Sequence, residues 1–279
     1  MRQLRYLLIP LALSANLDAA VLWVQGFTTS TVVTDYVGNS ANQADGITSS
    51  GSGVNWSADG SSLIGTRSAG NSGSFTINGD NWGASVLLTE MRFQIADVTS
   101  SATTSIMLAV GSGFTTGNSH PTNAATHSDF SINLTNGSPD SFRFRDHDNG
   151  TNLGNAIDGT SSITVGTWVD IWWGVNNSGS AVSYTRPDGG TDTLADDRWA
   201  LWAKVGGSWY LIGNNPVNTA NNGSVLDDFK ITFSDGLGVL KIDSIKISDT
   251  LTAVPEVSSA SMALVGICGV LVSRRRQCG

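Results

Sequence analysis

Thr167-Trp-Val-Asp-Ile-Trp-Trp-Gly-Val-Asn176 alternates with period two over its whole length. Val169, Ile171, Trp173 and Val175 fall on one side, and Trp168, Asp170, Trp172 and Gly174 on the other. Successive side chains in a strand point to opposite faces, so this segment reads as a strand with one apolar face and one mixed face. The same pattern recurs on both sides of it. Ser85 to Ala96 sets Leu87, Thr89, Met91, Phe93 and Ile95 against Val86, Leu88, Glu90, Arg92, Gln94 and Ala96. Leu226 to Phe233 places Phe229, Ile231 and Phe233 on one face.

Further strands are expected at Val21 to Val24, Thr31 to Val37, Gly73 to Asn78, Thr104 to Val110, Asp129 to Leu134 and Ser141 to Arg145. Trp199 to Val205 and Ser208 to Gly213 flank Gly206-Gly207, the signature of a tight hairpin. In the last strand Leu240 and Ile242 have one parity and Ile245 and Ile247 the other, which calls for a β-bulge at Asp243-Ser244. Asn39 to Gly60 and Gly111 to His127 read as polar loops. Between Val21 and Thr252 no amphipathic helical stripe appears, and twelve to fifteen short strands argue for one β-sandwich or barrel. No repeat period is evident, which disfavours a propeller or solenoid.

Composition agrees. Of 279 residues, 40% are hydrophobic and only 14% charged, with 32 glycines. Nine tryptophans and nine phenylalanines supply a core that a disordered chain would lack. Both cysteines, Cys268 and Cys278, stand near the C-terminus, so the body has no disulfide to stabilise it. Net charge is −8. Without the terminal segments, five of the 15 basic and two of the 23 acidic residues are gone, leaving a body of net charge −11. Such a surface repels nucleic acid, anionic lipid and unbridged acidic polysaccharide, and carries no such penalty toward neutral glycans.

The two ends read as addresses. Arg2 and Arg5 precede the apolar run Tyr6 to Ala15, and small residues follow at Ala15, Ala19 and Ala20. This is the pattern of a secretory signal peptide, with cleavage after Ala20 or Ala15. At the other end, Val254-Pro-Glu256 precedes an apolar stretch to Ser273 and then Arg274-Arg275-Arg276. About 17 residues is the short limit for a membrane-crossing helix, and the arginines hold its end on the cytoplasmic side.

Pro255-Glu256, the apolar helix and the arginine cluster resemble the PEP-CTERM sorting signal. Val257 replaces the second proline of that motif, and Gln277-Cys278-Gly279 extends past the arginines. The resemblance implies export, transient anchoring in the inner membrane, removal by an exosortase-type transpeptidase, and delivery to the cell surface or matrix. Signal peptidase would act first. The implied organisation is a signal peptide over 1–20, a β domain over 21–252 and a sorting tail over 253–279.

Gly166-Thr-Trp-Val-Asp-Ile-Trp172, Leu226-Asp-Asp-Phe-Lys-Ile231 and Leu240-Lys-Ile-Asp-Ser-Ile-Lys-Ile247 resemble the concanavalin A-like lectin/glucanase jelly roll of laminin G-type domains. This implies an all-β, two-sheet antiparallel sandwich flanked by the signal helix and the C-terminal hydrophobic helix. The resemblance speaks to fold more than function, since that sandwich hosts lectins, hydrolases, lyases and adhesion modules.

The residues raise three chemistries. Retaining hydrolysis needs two carboxylates about 5–5.5 Å apart, usually as Glu-x-Asp-x-x-Glu in glucanases of this fold. The body has one glutamate, Glu90, in a sequence that does not match. The expectation is therefore a non-enzyme, with a polysaccharide hydrolase or lyase and an unliganded matrix protein as rivals. Asp146-His-Asp148-Asn149-Gly150 clusters oxygen ligands on a glycine turn, which suits calcium. The three histidines show no i, i+4 spacing, which argues against zinc. Trp168 and Trp172 share a face with Asp170, as a sugar-stacking platform with a polar anchor would.

Overall fold

A computed structural model describes residues 20–40, 42–78, 82–147, 153, 162–217 and 225–251. The signal peptide, the sorting residues Val254, Pro255, Glu256, Arg274, Arg275 and Arg276, and the turn residues Asp148 and Asn149 lie outside the described residues. Within them no helix is long and apolar enough to cross a membrane.

Seventeen strands, numbered in chain order, form two large antiparallel sheets and one small one among the described residues. The first sheet runs, in spatial order, β15 (Ser208–Pro216), β14 (Arg198–Val205), β11 (Trp168–Asn176), β6 (Val86–Ser100), β17 (Leu237–Ser248), β4 (Leu63–Arg67) and β3 (Val54–Ala58), with β1 (Val21–Gly26) also beside β17. The second runs β10 (Ile163–Thr164), β9 (Ser141–Asp146), β8 (Thr126–Thr135), β7 (Ala102–Gly111), β16 (Asp228–Phe233), β5 (Gly73–Asn78) and β2 (Gly46–Ser49). A separate hairpin pairs β12 (Val182–Thr185) with β13 (Thr191–Leu194).

The apolar faces read from the sequence meet between the two large sheets. Leu87, Met91, Phe93 and Ile95 of β6, and Val169, Ile171, Trp173 and Val175 of β11, pack against Phe130, Ile132, Phe142, Phe144, Phe229, Ile231 and Phe233. Trp173 is fully buried, edge-on to Phe130 at a centroid distance of 4.9 Å. A second, smaller apolar cluster lies on the outer face of the first sheet. There Tyr184 and Leu194 of the hairpin cover Leu88, Trp172, Ala200 and Trp202. Next to Trp172, a Cβ on Gly174 would stand 2.7 Å from the indole, so the ring needs glycine there to lie flat on the sheet.

The expected bulge is present: the β17–β6 register shifts between Ile242 and Ser244. Its partner changes at the same point. Gly238 to Ile242 pair with β4, and Ser244 to Ser248 pair with β1. The Gly206-Gly207 hairpin also forms, with φ of +59° and +91° at the two glycines, backbone conformations open to residues without a Cβ.

Three expectations are corrected. Thr31 to Val37 contains no strand but a short 3-10 turn, Val33–Tyr36. Tyr36 is drawn into the core against Phe27, and its hydroxyl donates to the Ser30 carbonyl at 2.7 Å. Asn39 to Gly60 is not one loop, because it holds β2 and β3. Trp56 anchors that segment, donating from Nε1 to the Thr48 carbonyl at 3.0 Å. His127 does not belong to the preceding loop but lies in β8, fully buried.

Candidate functional site

Two faces of the sandwich carry polar chemistry. The first is the uncovered end of the outer face of the first sheet. Cross-strand register lines up Trp209, Lys204, Asp170, Arg92 and Ser244 across five neighbouring strands. A parallel row brings Glu90 opposite Lys246. The charges alternate and pair: Arg92 Nη1 lies 3.5 Å from Asp170 Oδ1, Arg92 Nε 3.8 Å from Asp243 Oδ2, and Lys246 Nζ 2.8 Å from Glu90 Oε2. Glu90, Arg92, Asp170, Trp209 and Lys246 line a groove of about 360 Å³.

The sequence-derived stacking residues separate here. Trp168 is half-buried, with the Arg92 guanidinium 5.4 Å from its ring centroid. Asp170 sits in the groove as expected. Trp172, by contrast, is 1% exposed and stacks on Tyr184 at 4.9 Å and 19°, so it offers no ring face to a ligand. Trp202 and Trp209, which the sequence pairs as a second stacking candidate across the hairpin, also separate: Trp202 is buried under β12–β13, and Trp209 stands at the groove, with Lys204 Nζ 6.0 Å from its ring.

The second face is the outer side of the second sheet. It is polar yet buried: Ser74, Thr76, Asp129, Ser131, Asp228, Lys230 and Thr232 are all nearly inaccessible. The segment from Ser112 to Ala125 lies over it. Lys230 Nζ donates to the carbonyls of Thr115 at 2.7 Å and Gly117 at 2.6 Å. The Phe114 amide donates to Asp228 Oδ2 at 2.6 Å. Thr48 Oγ1 donates to the Thr116 carbonyl at 2.8 Å. Burial pushes the Lys230 ammonium below its usual range. Burial pushes the Asp228 carboxyl up to about 6, helped by the negative charges of Asp227 and Asp45 and opposed by the Phe114 amide. A pocket of about 270 Å³ remains between loop and sheet, lined by Phe114, His120, Pro121, Thr122 and Lys230 among others.

At the margin of that pocket three segments converge on one carboxylate. His120 of the loop places Nε2 3.0 Å from Asp129 Oδ2. His147, just past β9, places Nδ1 2.7 Å from the same oxygen. The imidazoles stand edge to face, with centroids 4.9 Å apart. Burial alone would raise the Asp129 carboxyl, but hydrogen bonds from His120 and His147 outweigh it and hold the group below its usual range. Its other oxygen, Oδ1, has no hydrogen-bond partner among the described residues.

The lack of i, i+4 spacing does not keep the histidines apart, since the fold brings His120 and His147, 27 positions apart, onto Asp129. The expected calcium turn is divided. Asp146 is 3% exposed and accepts a hydrogen bond from Asn215 Nδ2 of β15, while Asp148 and Asn149 fall outside the described residues. One sequence signal for the cluster is the position of Asp129 on the face of β8 opposite Phe130 and Ile132, in a strand buried on both sides.

Neither a protein family nor a curated protein matches the sequence. Solved structures do. A carbohydrate esterase from the Shiga toxin-encoding bacteriophage phi24B is 12% identical, with a TM-score of 0.46, over 82% of this chain and 98% of that one. The metal-free VIP36 exoplasmic/lumenal domain is 11% identical, with a TM-score of 0.44, over 81% and 92%. The metal-free lectin I-B4 from Griffonia simplicifolia is 13% identical, with a TM-score of 0.42, over 73% and 93%.

Proposed function

We propose that this chain is an exported, non-enzymatic β-sandwich of the cell surface or extracellular matrix, and that it binds polysaccharide along the outer face of its first sheet. The observation that carries the reading is the groove at Asp170. Half-buried indoles of Trp168 and Trp209 flank an array of paired carboxylates and cations. Sugars present apolar C–H faces and rings of hydroxyls, and aromatic platforms beside fixed donors and acceptors match both. The pairing of every groove carboxylate with a cation favours holding a neutral glycan over attacking one, because general acid catalysis needs a carboxyl kept protonated near neutral pH.

The signal peptide and the PEP-CTERM-like tail supply the address. Signal peptidase removes the first, and an exosortase-type transpeptidase releases the second from the inner membrane near Val254-Pro255-Glu256. Intact-mass analysis of the secreted protein tests this, and a mature form that retains Arg274 to Arg276 counts against it.

A rival reading, a polysaccharide hydrolase or lyase, draws on the His120–Asp129–His147 cluster beside a pocket. One experiment separates the two. The purified full-length protein, in mild detergent, is incubated with neutral and acidic polysaccharides, and both its retention and new chain ends are assayed. Retention on a neutral glycan without new ends supports the binding module. New chain ends overturn it. Absence of both on every glycan favours a matrix protein without a specific ligand.

A further inference from the structure

We infer that His120, Asp129 and His147 form a binding site for a divalent transition-metal ion of the zinc class, independent of the groove on the other sheet. The donor atoms, two imidazole nitrogens and one carboxylate oxygen, lie within 4.8 Å of one another. Zinc–nitrogen and zinc–oxygen bonds of about 2.0–2.1 Å in tetrahedral geometry put neighbouring donors about 3.3 Å apart. The two donor pairs that include Asp129, at 3.0 and 2.7 Å, need to open by about 0.3–0.6 Å, and the two imidazole nitrogens, within 4.8 Å of each other, need to approach by up to about 1.5 Å.

Three features point to an ion and to its class. The donors come from three separate segments, the covering loop, β8 and the end of β9, so nothing local dictates their meeting. Asp129 is 3% exposed, and its Oδ1 is buried with no hydrogen-bond partner among the described residues, an expense that a bound cation offsets. The donor set selects the metal: imidazole suits zinc, copper, nickel and iron, whereas calcium asks for six to eight oxygens. The two imidazole side chains remain 13% and 24% accessible, which leaves a fourth position for water or a ligand oxygen beside the pocket. The ion would also fasten the Ser112-to-Ala125 loop to the sheet through His120.

The test uses the full-length protein without a histidine tag, treated with chelator and then dialysed. Cys268 and Cys278 are both replaced by Ser, because tail thiolates bind zinc on their own account. Calorimetric titration with zinc is expected to give one site with a submicromolar Kd, and cobalt substitution a visible spectrum of tetrahedral nitrogen–oxygen ligation. His120→Gln, His147→Gln and Asp129→Asn should each weaken zinc binding on the order of 100-fold or more. Tryptophan fluorescence and thermal unfolding confirm that each variant is folded. His120→Gln, in the loop, keeps the test valid if Asp129→Asn unfolds. Zinc binding that is only millimolar, that survives both histidine substitutions, or that disappears when the tail cysteines alone are replaced overturns the proposal. So does tighter binding of calcium than of zinc.

Discussion

Asp146 and His147 are neighbours in the chain and lie on opposite sides of the second sheet. Asp146 pairs across the ladder with Phe130, points between the sheets and meets Asn215. His147 reaches the outer face and meets Asp129. One peptide bond thus separates a residue that ties the two sheets together from one that belongs to the loop-covered face. Asp146→Ala should therefore act on stability, leaving the half-buried Asn215 amide without this acceptor. A loss of about 1–2 kcal/mol in urea unfolding is expected, with zinc affinity within about twofold of the parent.

Asp129 is the reverse case. Asp129→Ala removes the common acceptor of two imidazoles from a buried site. Urea denaturation should show a loss of about 3 kcal/mol at pH 7, and hydrogen exchange in β8 should accelerate. Because the Asp129 carboxyl is held below its usual range, its contribution is present above about pH 4 and fades as pH falls through the lowered folded value.

Between pH 4 and 6.5 two buried groups push stability in opposite directions. Asp228, with its carboxyl raised to about 6, holds a proton in the folded protein that the unfolded chain has released. Stability from this group falls as pH rises from about 4 to 6. Burial pushes His127 below its ordinary value, against the pull of Asp197, Asn177 and Asp196, so the unfolded chain holds the extra proton. Stability from this group is lost as pH falls below about 6.5. In Asp228→Asn the urea midpoint should rise steadily with pH across this range. In His127→Asn it should fall. Identical profiles for the two variants would contradict both assignments.

The tryptophans separate fold from binding. Trp172→Ala empties a fully buried site beneath the hairpin and should cost about 3–5 kcal/mol. Trp168→Ala and Trp209→Ala should each cost under about 1.5 kcal/mol, since their rings are only half-buried, yet weaken glycan retention on the order of tenfold. Affinity electrophoresis on the retaining polysaccharide, paired with thermal unfolding, reads both effects.

Lys230→Met removes the two hydrogen bonds that hold the covering loop at Thr115 and Gly117. Limited proteolysis should then cut between Ser112 and Ala125 at least about tenfold faster, corresponding to about 1.4 kcal/mol of local opening, while the sheets keep their tryptophan fluorescence. Unchanged cleavage would mean that Phe114 and Thr48 suffice to hold the loop.

Strand alternation made the core legible, because the rows Leu87 to Ile95 of β6, Val169 to Val175 of β11 and Phe229 to Phe233 of β16 obey period two. Even the bulge at Asp243 could be read from the parity change between Ile242 and Ile245. The short strands β2 and β3 were not legible: four and five residues, Gly-Ile-Thr-Ser and Val-Asn-Trp-Ser-Ala, set among Ser and Gly, are too short to show alternation until a partner strand supplies their hydrogen bonds. Tyr36 ended an apparent strand because its hydroxyl found Ser30 six residues back. The groove was half legible, since Asp170 and Trp168 lie on one strand while Arg92 and Trp209 reach them only through pairing. The histidine cluster was hidden for the same reason, as spacing along a chain says nothing of residues brought together across strands.

The pairing of β1 with the end of β17 has a consequence for timing. Among the described residues, the strand pairing of residues 21–26 is with residues 244–248. A chain delivered N-terminus first must hold its opening strand unpaired until nearly the whole domain has emerged, and loop closure over that span is slow. Closure of the first sheet before the domain is nearly complete is thereby discouraged: β17, which holds β1, is the last strand to arrive.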